Sequence, residues 1–132
     1  MDYLLDTHIF LWYISGDIKL NQNHREIIEN SENQIFISDY SIWEILIKTK
    51  LGKLPLPSPV YSFITEQIKN HNFLICPNNT SAFQFLETLP EIHNDPFDRM
   101  LISQCIQLRY TLISEDTNII KYREKVEHLK IL

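Results

Sequence analysis

Four carboxylates in this chain each sit just past an apolar run. Asp6 directly follows Tyr3-Leu4-Leu5, and Asp116 follows Thr111-Leu112-Ile113-Ser114. Glu44 comes a few residues after Ile35-Phe36-Ile37, and Asp98 lies within His93-Asn94-Asp95-Pro96-Phe97-Asp98-Arg99. If the runs are parallel strands, the four acids gather at one edge of one sheet. Hard carboxylate oxygens at such an edge hold Mg²⁺ or Mn²⁺. Ions held there activate water and neutralise a phosphodiester. The chemistry would be hydrolysis at phosphorus, with no side-chain nucleophile.

Each acid also has a purely structural use. Asp6 and Asp116 can cap the helices that follow them, which is worth about 1 kcal/mol apiece. Asp98 falls in a first helical turn, where the helix dipole favours any acid by ~0.3–1 kcal/mol. Asp95, just before Pro96, is the better cap there. Glu44 can pair with Lys48 one turn on, worth ~0.2–0.5 kcal/mol. Yet Glu44 sits among Ile42, Trp43, Ile45, Leu46 and Ile47, where a carboxylate is costly unless paired or coordinated. These four uses predict no common location, whereas the sheet edge does. By this ranking Asp6 and Asp98 are the principal ligands. Glu44 and Asp116 bind a second ion or act through its water.

Arg99 is the first candidate to meet substrate phosphate, because a guanidinium matches phosphate oxygens two at a time. His8 and Lys48 are further candidates for substrate contact. His8 and His93 can also support the acids. Trp12 and Trp43 read as core residues.

The elements that must position these groups are legible as alternating short apolar runs and helices. Strands are expected at 3–5, 34–38, 73–75 and 111–113, with a last one in 126–132. Helices are expected after Asp6 up to Ser15-Gly16-Asp17, and at 23–30, 40–50, 60–70, 81–89, 96–108 and 118–123. Such alternation predicts an α/β fold: a mostly parallel central sheet flanked by helices on both faces. Ligands then bind beyond the carboxyl ends of the strands. With 132 residues, one domain over 1–132 is expected.

Composition narrows the function. The chain has only two glycines, Gly16 and Gly52, and neither lies in a phosphate-cradling loop. Phosphate must therefore be met by metal or side chains. A net charge of −5 argues against binding nucleic acid by bulk electrostatics. Cys76 and Cys105 stand apart in apolar context and read as buried free thiols. No basic leader and no membrane-length apolar run is visible, so a cytoplasmic protein that does not engage a membrane is expected.

Three stretches together resemble a known family. They are Leu4-Leu5-Asp6-Thr7-His8 with Trp12, the helix Ser41-Ile42-Trp43-Glu44-Ile45 leading to Leu51-Gly52-Lys53-Leu54, and His93 to Ile102. In order and spacing, across essentially the whole chain, they resemble the PIN-domain ribonucleases. The resemblance is to the VapC-like toxins of type II toxin–antitoxin systems. It implies a single PIN-like domain and a metal-dependent endoribonuclease that leaves a 5′-phosphate and a 3′-hydroxyl. Its acids would be Asp6, Glu44, Asp98 and Asp116. It also implies a cognate antitoxin, an RNA substrate and a homodimer. Asn94 departs from that subgroup, which usually carries a basic residue there, so one substrate contact is missing. Landmarks around Glu115-Asp116 are few.

Other readings are a phosphoesterase on a different substrate and a non-catalytic RNA- or protein-binding domain on the same scaffold. An aspartyl-nucleophile phosphotransferase would need a second Asp where His8 stands. A phospho-receiver would need a Lys where Ser114-Glu115 stands.

Overall fold

A computed structural model describes residues 1–132. The strands are β1 (Asp2–Leu5), β2 (Gln34–Ser38), β3 (Leu74–Cys76), β4 (Thr111–Ile113) and β5 (Lys130–Ile131). The helices are α1 (Thr7–Ser15), α2 (Gln22–Glu29), α3 (Asp39–Lys50), α4 (Val60–Asn70), α5 (Phe83–Thr88), α6 (Pro96–Leu108) and α7 (Thr117–Ile120). All strand pairs are parallel, in the order β3-β2-β1-β4-β5. The chain builds outward from β1 on one side, then crosses to β4 on the other. The reversal opens a crevice at the carboxyl ends of β1 and β4, which is where open α/β sheets place ligands.

The central strands β1 and β4 are short and buried on both faces, so consecutive residues serve opposite cores. Tyr3 and Leu5 of β1, Ile35 and Ile37 of β2, and Ile113 of β4 pack with Ile9, Phe10, Ile28, Ile45, Ile64 and Ile68 of α1 to α4. Leu4 and Leu112 face the other way. They pack with Leu101, Ile102 and Cys105 of α6, Ile119 of α7, and Tyr122, Leu129 and Ile131. Helices therefore cover both faces, as the sequence pattern predicts.

Several boundaries differ from the sequence reading. The third strand is displaced by one residue to Leu74–Cys76, and Phe73 packs into the α1–α4 core instead. The helix expected at 81–89 is a single 3-10 turn, Thr80–Ala82, followed by α5. The helix expected at 118–123 starts at Thr117 and gives way to turns after Ile120. Trp43 is not a core residue. It is 57% exposed and packs edge-to-face on Phe97, because α3 turns Ser41, Glu44 and Ile45 inward instead. Trp12 is half-buried.

Two stops work as expected. Gly16 and Gly52 take positive φ just past α1 and α3, the conformation in which glycine carries no Cβ penalty. Arg109 takes the same conformation after α6, at the cost a side chain pays there.

Ile113, fully buried at the end of β4, ties the strand that carries the Ser114–Asp116 turn to the α1–α4 core. Ile113→Ala should lower the unfolding free energy by about 2–4 kcal/mol, read as a reduced urea midpoint.

Candidate active site

The acids occupy the crevice by different routes. Asp6 ends β1, and its backbone N–H donates to Ile113 O at 3.0 Å, one ladder step past the paired strands. Although it precedes α1, its side chain makes no capping hydrogen bond. It accepts instead from Ser114 Oγ at 2.8 Å, while Ser114 Oγ also accepts from Asp116 N at 3.1 Å. Ser114 thus ties the ends of β1 and β4 together.

Glu44 lies in the second turn of α3, and only 3% of it is exposed. Lys48 Nζ lies 2.8 Å from Glu44 Oε2. Thr7 Oγ1 is 2.8 Å from both Glu44 Oε1 and Ser41 Oγ. Having one proton, Thr7 donates to the carboxylate and accepts from Ser41. The Lys48 pairing therefore exists, and it holds Glu44 in place at the crevice.

Asp98 is relieved of capping because Asp95 performs it, accepting from Phe97 N at 2.9 Å and Asp98 N at 3.1 Å. The Asp98 carboxylate reaches His93 Nε2 at 2.9 Å. Asp116 does cap α7, accepting from Asn118 N through Oδ1 at 2.8 Å, which leaves Oδ2 for other partners. One ligand atom each from His93, Asp98 and Asp116 all lie within 4.8 Å of one another. These three form one tight group, and Asp6 is close enough to Asp98 to raise its pKa.

The electrostatics show a site with too much negative charge for its surroundings. Burial raises the Asp6 pKa above the ordinary carboxylate range, and Asp116 and Glu44 add to the rise. The hydrogen bond from Ser114 and the proximity of His8 oppose it. Asp98 is pushed up to about 7, first by burial and then by Asp6, against the hydrogen bond with His93. Lys48 is pushed up too. Burial works against the rise, but the hydrogen bond and charge of Glu44 outweigh it, with Asp95 and Asp98 adding. Oxygen donors crowded together and disfavoured as bare anions are what a divalent cation stabilises. The donor set fits such an ion.

Arg99 is not available to substrate. It is 9% exposed. Its guanidinium donates to Pro90 O at 2.9 Å, Tyr122 Oη at 3.0 Å, His93 O at 3.3 Å and Leu89 O at 3.4 Å. The planar fork is saturated by the loop before α6, so the expected phosphate contact is corrected to a structural clamp. Guanidinium chemistry and a place beside Asp98 suggested otherwise. Nothing in the local spacing pointed to Tyr122, 23 residues on, as the group that completes this network.

His8 is exposed at the rim of a cavity of about 230 Å³ that it lines with Asp6, Ile9, Trp12, Glu115 and Asp116. Lys48 lies between Glu44 and an apolar groove of about 510 Å³ bounded by Leu11, Trp12, Leu54, Leu56 and Phe63.

The pattern of the PIN domain family matches residues 3–125. The chain belongs to the PIN domain family. Ribonuclease VapC16 of Mycobacterium tuberculosis is 40% identical over 45 residues, 34% of this PIN-domain chain and 32% of that protein. The aligned segment thus spans about a third of the relative. Two solved structures share the fold. VapBC2 from Rickettsia felis, bound to a DNA fragment from its promoter, has TM-score 0.72 at 18% identity. It covers 100% of this chain and 98% of its own. VapBC-1 from nontypeable Haemophilus influenzae has TM-score 0.66 at 17% identity, covering 100% and 97%. This PIN domain has no helix long and apolar enough to cross a membrane.

Two outcomes follow from this geometry. Arg99→Met should destabilise the fold by roughly 2–4 kcal/mol, since it orphans several carbonyls and Tyr122 Oη. Urea unfolding measures this, and an unchanged midpoint would restore Arg99 to the list of free cations. The second concerns Asp98. The native state keeps its proton up to about pH 7, whereas an unfolded chain releases it near pH ~4. Between those values the native state binds more protons at Asp98, so the contribution of this group to stability falls as pH rises and levels off above 7. Asp98→Asn should therefore flatten this slope. At pH 8 in EDTA the variant should exceed the native protein by on the order of 1–3 kcal/mol, read by denaturant unfolding across pH 4–8.

Proposed function

We propose that this chain is a metal-dependent endoribonuclease acting as the toxin of a type II toxin–antitoxin pair. One observation carries the reading: Asp6, Glu44, Asp98 and Asp116 converge on the switch point of a PIN-family sheet. The partial likeness to Ribonuclease VapC16 and the shared fold with the VapBC structures support the substrate class and the partner.

Asp98, Asp116 and Asp6 would hold Mg²⁺ or Mn²⁺, with Glu44 as a further donor. The bound ion would supply an activated water and charge neutralisation at the scissile phosphate. The chain's own residues prepare for this. Ser114 orients Asp6, and Thr7 and Lys48 orient Glu44. Lys48 also lines the apolar groove, together with Lys53, where it can meet a phosphate oxygen. His8 at the rim of the smaller cavity is the other candidate for substrate contact.

The partners follow from surface. The groove bounded by Leu11, Trp12, Leu54, Leu56 and Phe63 opens beside the acids. An antitoxin segment laid there would bury it and block the crevice. Trp43 and Phe83 are exposed around another cavity of about 500 Å³, with Tyr40, Leu86 and Phe97. That face suits a second copy of the chain.

Asp6→Asn should reduce cleavage of a labelled RNA by at least about a hundredfold, since even groups that only support a metal ligand cost 10–100-fold when removed. The variant should fold, as shown by an unchanged near-UV circular dichroism spectrum. Cleavage by the native protein should stop in excess EDTA and return with added Mg²⁺ or Mn²⁺. Cleavage that survives EDTA, or full activity in Asp6→Asn, would refute the metal-ligand roles. Tight RNA binding without turnover would favour the binding-domain alternative.

A further inference from the structure

We propose that His93 is a nitrogen ligand of the cation held by Asp98 and Asp116, and that it biases the site towards first-row transition dications over Mg²⁺. The inference rests on the metal-dependent reading above and adds a donor to it.

Three observations carry it. First, His93 Nε2 is 2.9 Å from Asp98 Oδ2, and one ligand atom of Asp116 lies within 4.8 Å of both. Adjacent ligands on an octahedral ion with bonds of ~2.1 Å are about 3 Å apart. The His93–Asp98 pair already has the spacing of one such edge.

Second, the backbone at His93 is fixed from both sides by buried groups. Its N–H donates to Tyr122 Oη at 3.0 Å, and its carbonyl accepts from Arg99 at 3.3 Å and from Tyr122 Oη at 3.4 Å. Tyr122 is fully buried, and Arg99 nearly so. The loop before α6 would otherwise be free to carry the imidazole away from the crevice. Metal ligands need such pre-set backbones because their directions must hold to a fraction of an ångström.

Third, the imidazole is sheltered without being sealed. Its side chain is 19% exposed, and its ring nitrogen is turned to the acids. A histidine serving only to fill the loop would have no reason to present that nitrogen to the buried Asp98 carboxylate.

The chemical consequence is selectivity. Oxygen donors alone suit Mg²⁺, which gains little from imidazole. One nitrogen donor strengthens binding of transition dications in the order Mn²⁺, Co²⁺, Ni²⁺.

The test is metal binding, independent of turnover. Electron spin echo measurements on Mn²⁺ bound to the native protein should show coupling to a ¹⁴N nucleus, and His93→Gln should abolish it. Isothermal titration should show His93→Gln weakening Co²⁺ by about tenfold or more while Mg²⁺ changes by no more than about twofold. Bound Mn²⁺ without nitrogen coupling in the native protein would overturn the proposal and leave the metal-dependent reading intact. Equal loss for Co²⁺ and Mg²⁺ would overturn it too, reducing His93 to a positioning residue for Asp98. If no divalent ion binds the native protein, both readings fall together. The native spectrum decides the question even if His93→Gln fails to fold.

Discussion

The functional end of this protein is organised around negative charge held out of water. Asp6 and Glu44 are nearly inaccessible, Asp98 is buried beside them, and Asp116 stands at the rim. In a low-dielectric crevice these groups repel one another and lose hydration. The raised pKa values of Asp6 and Asp98 are the direct expression of that conflict. No hydrophobic rearrangement relieves it; a proton does so partly, and a divalent cation does so more completely. The fold tolerates an unfavourable arrangement because two apolar layers elsewhere stabilise it, as strained functional sites generally require.

Those layers owe their geometry to very short strands. A strand of three or four residues, buried on both faces, sends alternate side chains into opposite cores. Tyr3 and Leu5 go one way and Leu4 the other, and Ile113 and Leu112 divide likewise. With β1 at the centre and the chain reversing direction between β2–β3 and β4–β5, the two central strands end side by side. Asp6 and Ser114 meet there because of strand pairing, 108 residues apart in sequence.

Neighbouring polar groups then hold Asp6 and Glu44 and free Asp98 from capping. Ser114 serves Asp6, Thr7 and Lys48 serve Glu44, and Asp95 takes over the capping that would otherwise occupy Asp98. Arg99 and Tyr122 hold the loop before α6. Arg99 shows how one residue type can suit two roles. A guanidinium matches phosphate, and it equally matches a cluster of carbonyls in a turn with no regular structure of its own. Burial decides between them, and here it selects the turn.

Much of this was legible in the residues alone. The alternation of β-branched runs with capped helices determines a parallel α/β sheet, since each local choice agrees with that architecture. Asp6 and Asp116 lie just past runs, which puts them at the carboxyl ends of β1 and β4, and Asp95 before Pro96 relieves Asp98 of capping. Local spacing carries such information because caps and strand ends involve neighbours in sequence. Other matters depended on which surfaces meet. Trp43 is exposed because Ser41, Glu44 and Ile45 take the inward face of α3. Arg99 is enclosed because Tyr122, on a distant turn, arrives beside it. His93 joins Asp98 and Asp116 because the loop is clamped from outside its own segment. The sequence by itself determined the order of strands and helices and named candidate acids near the strand ends. Tertiary structure alone decided which are buried, paired and adjacent, because burial and long-range contact depend on how whole elements pack.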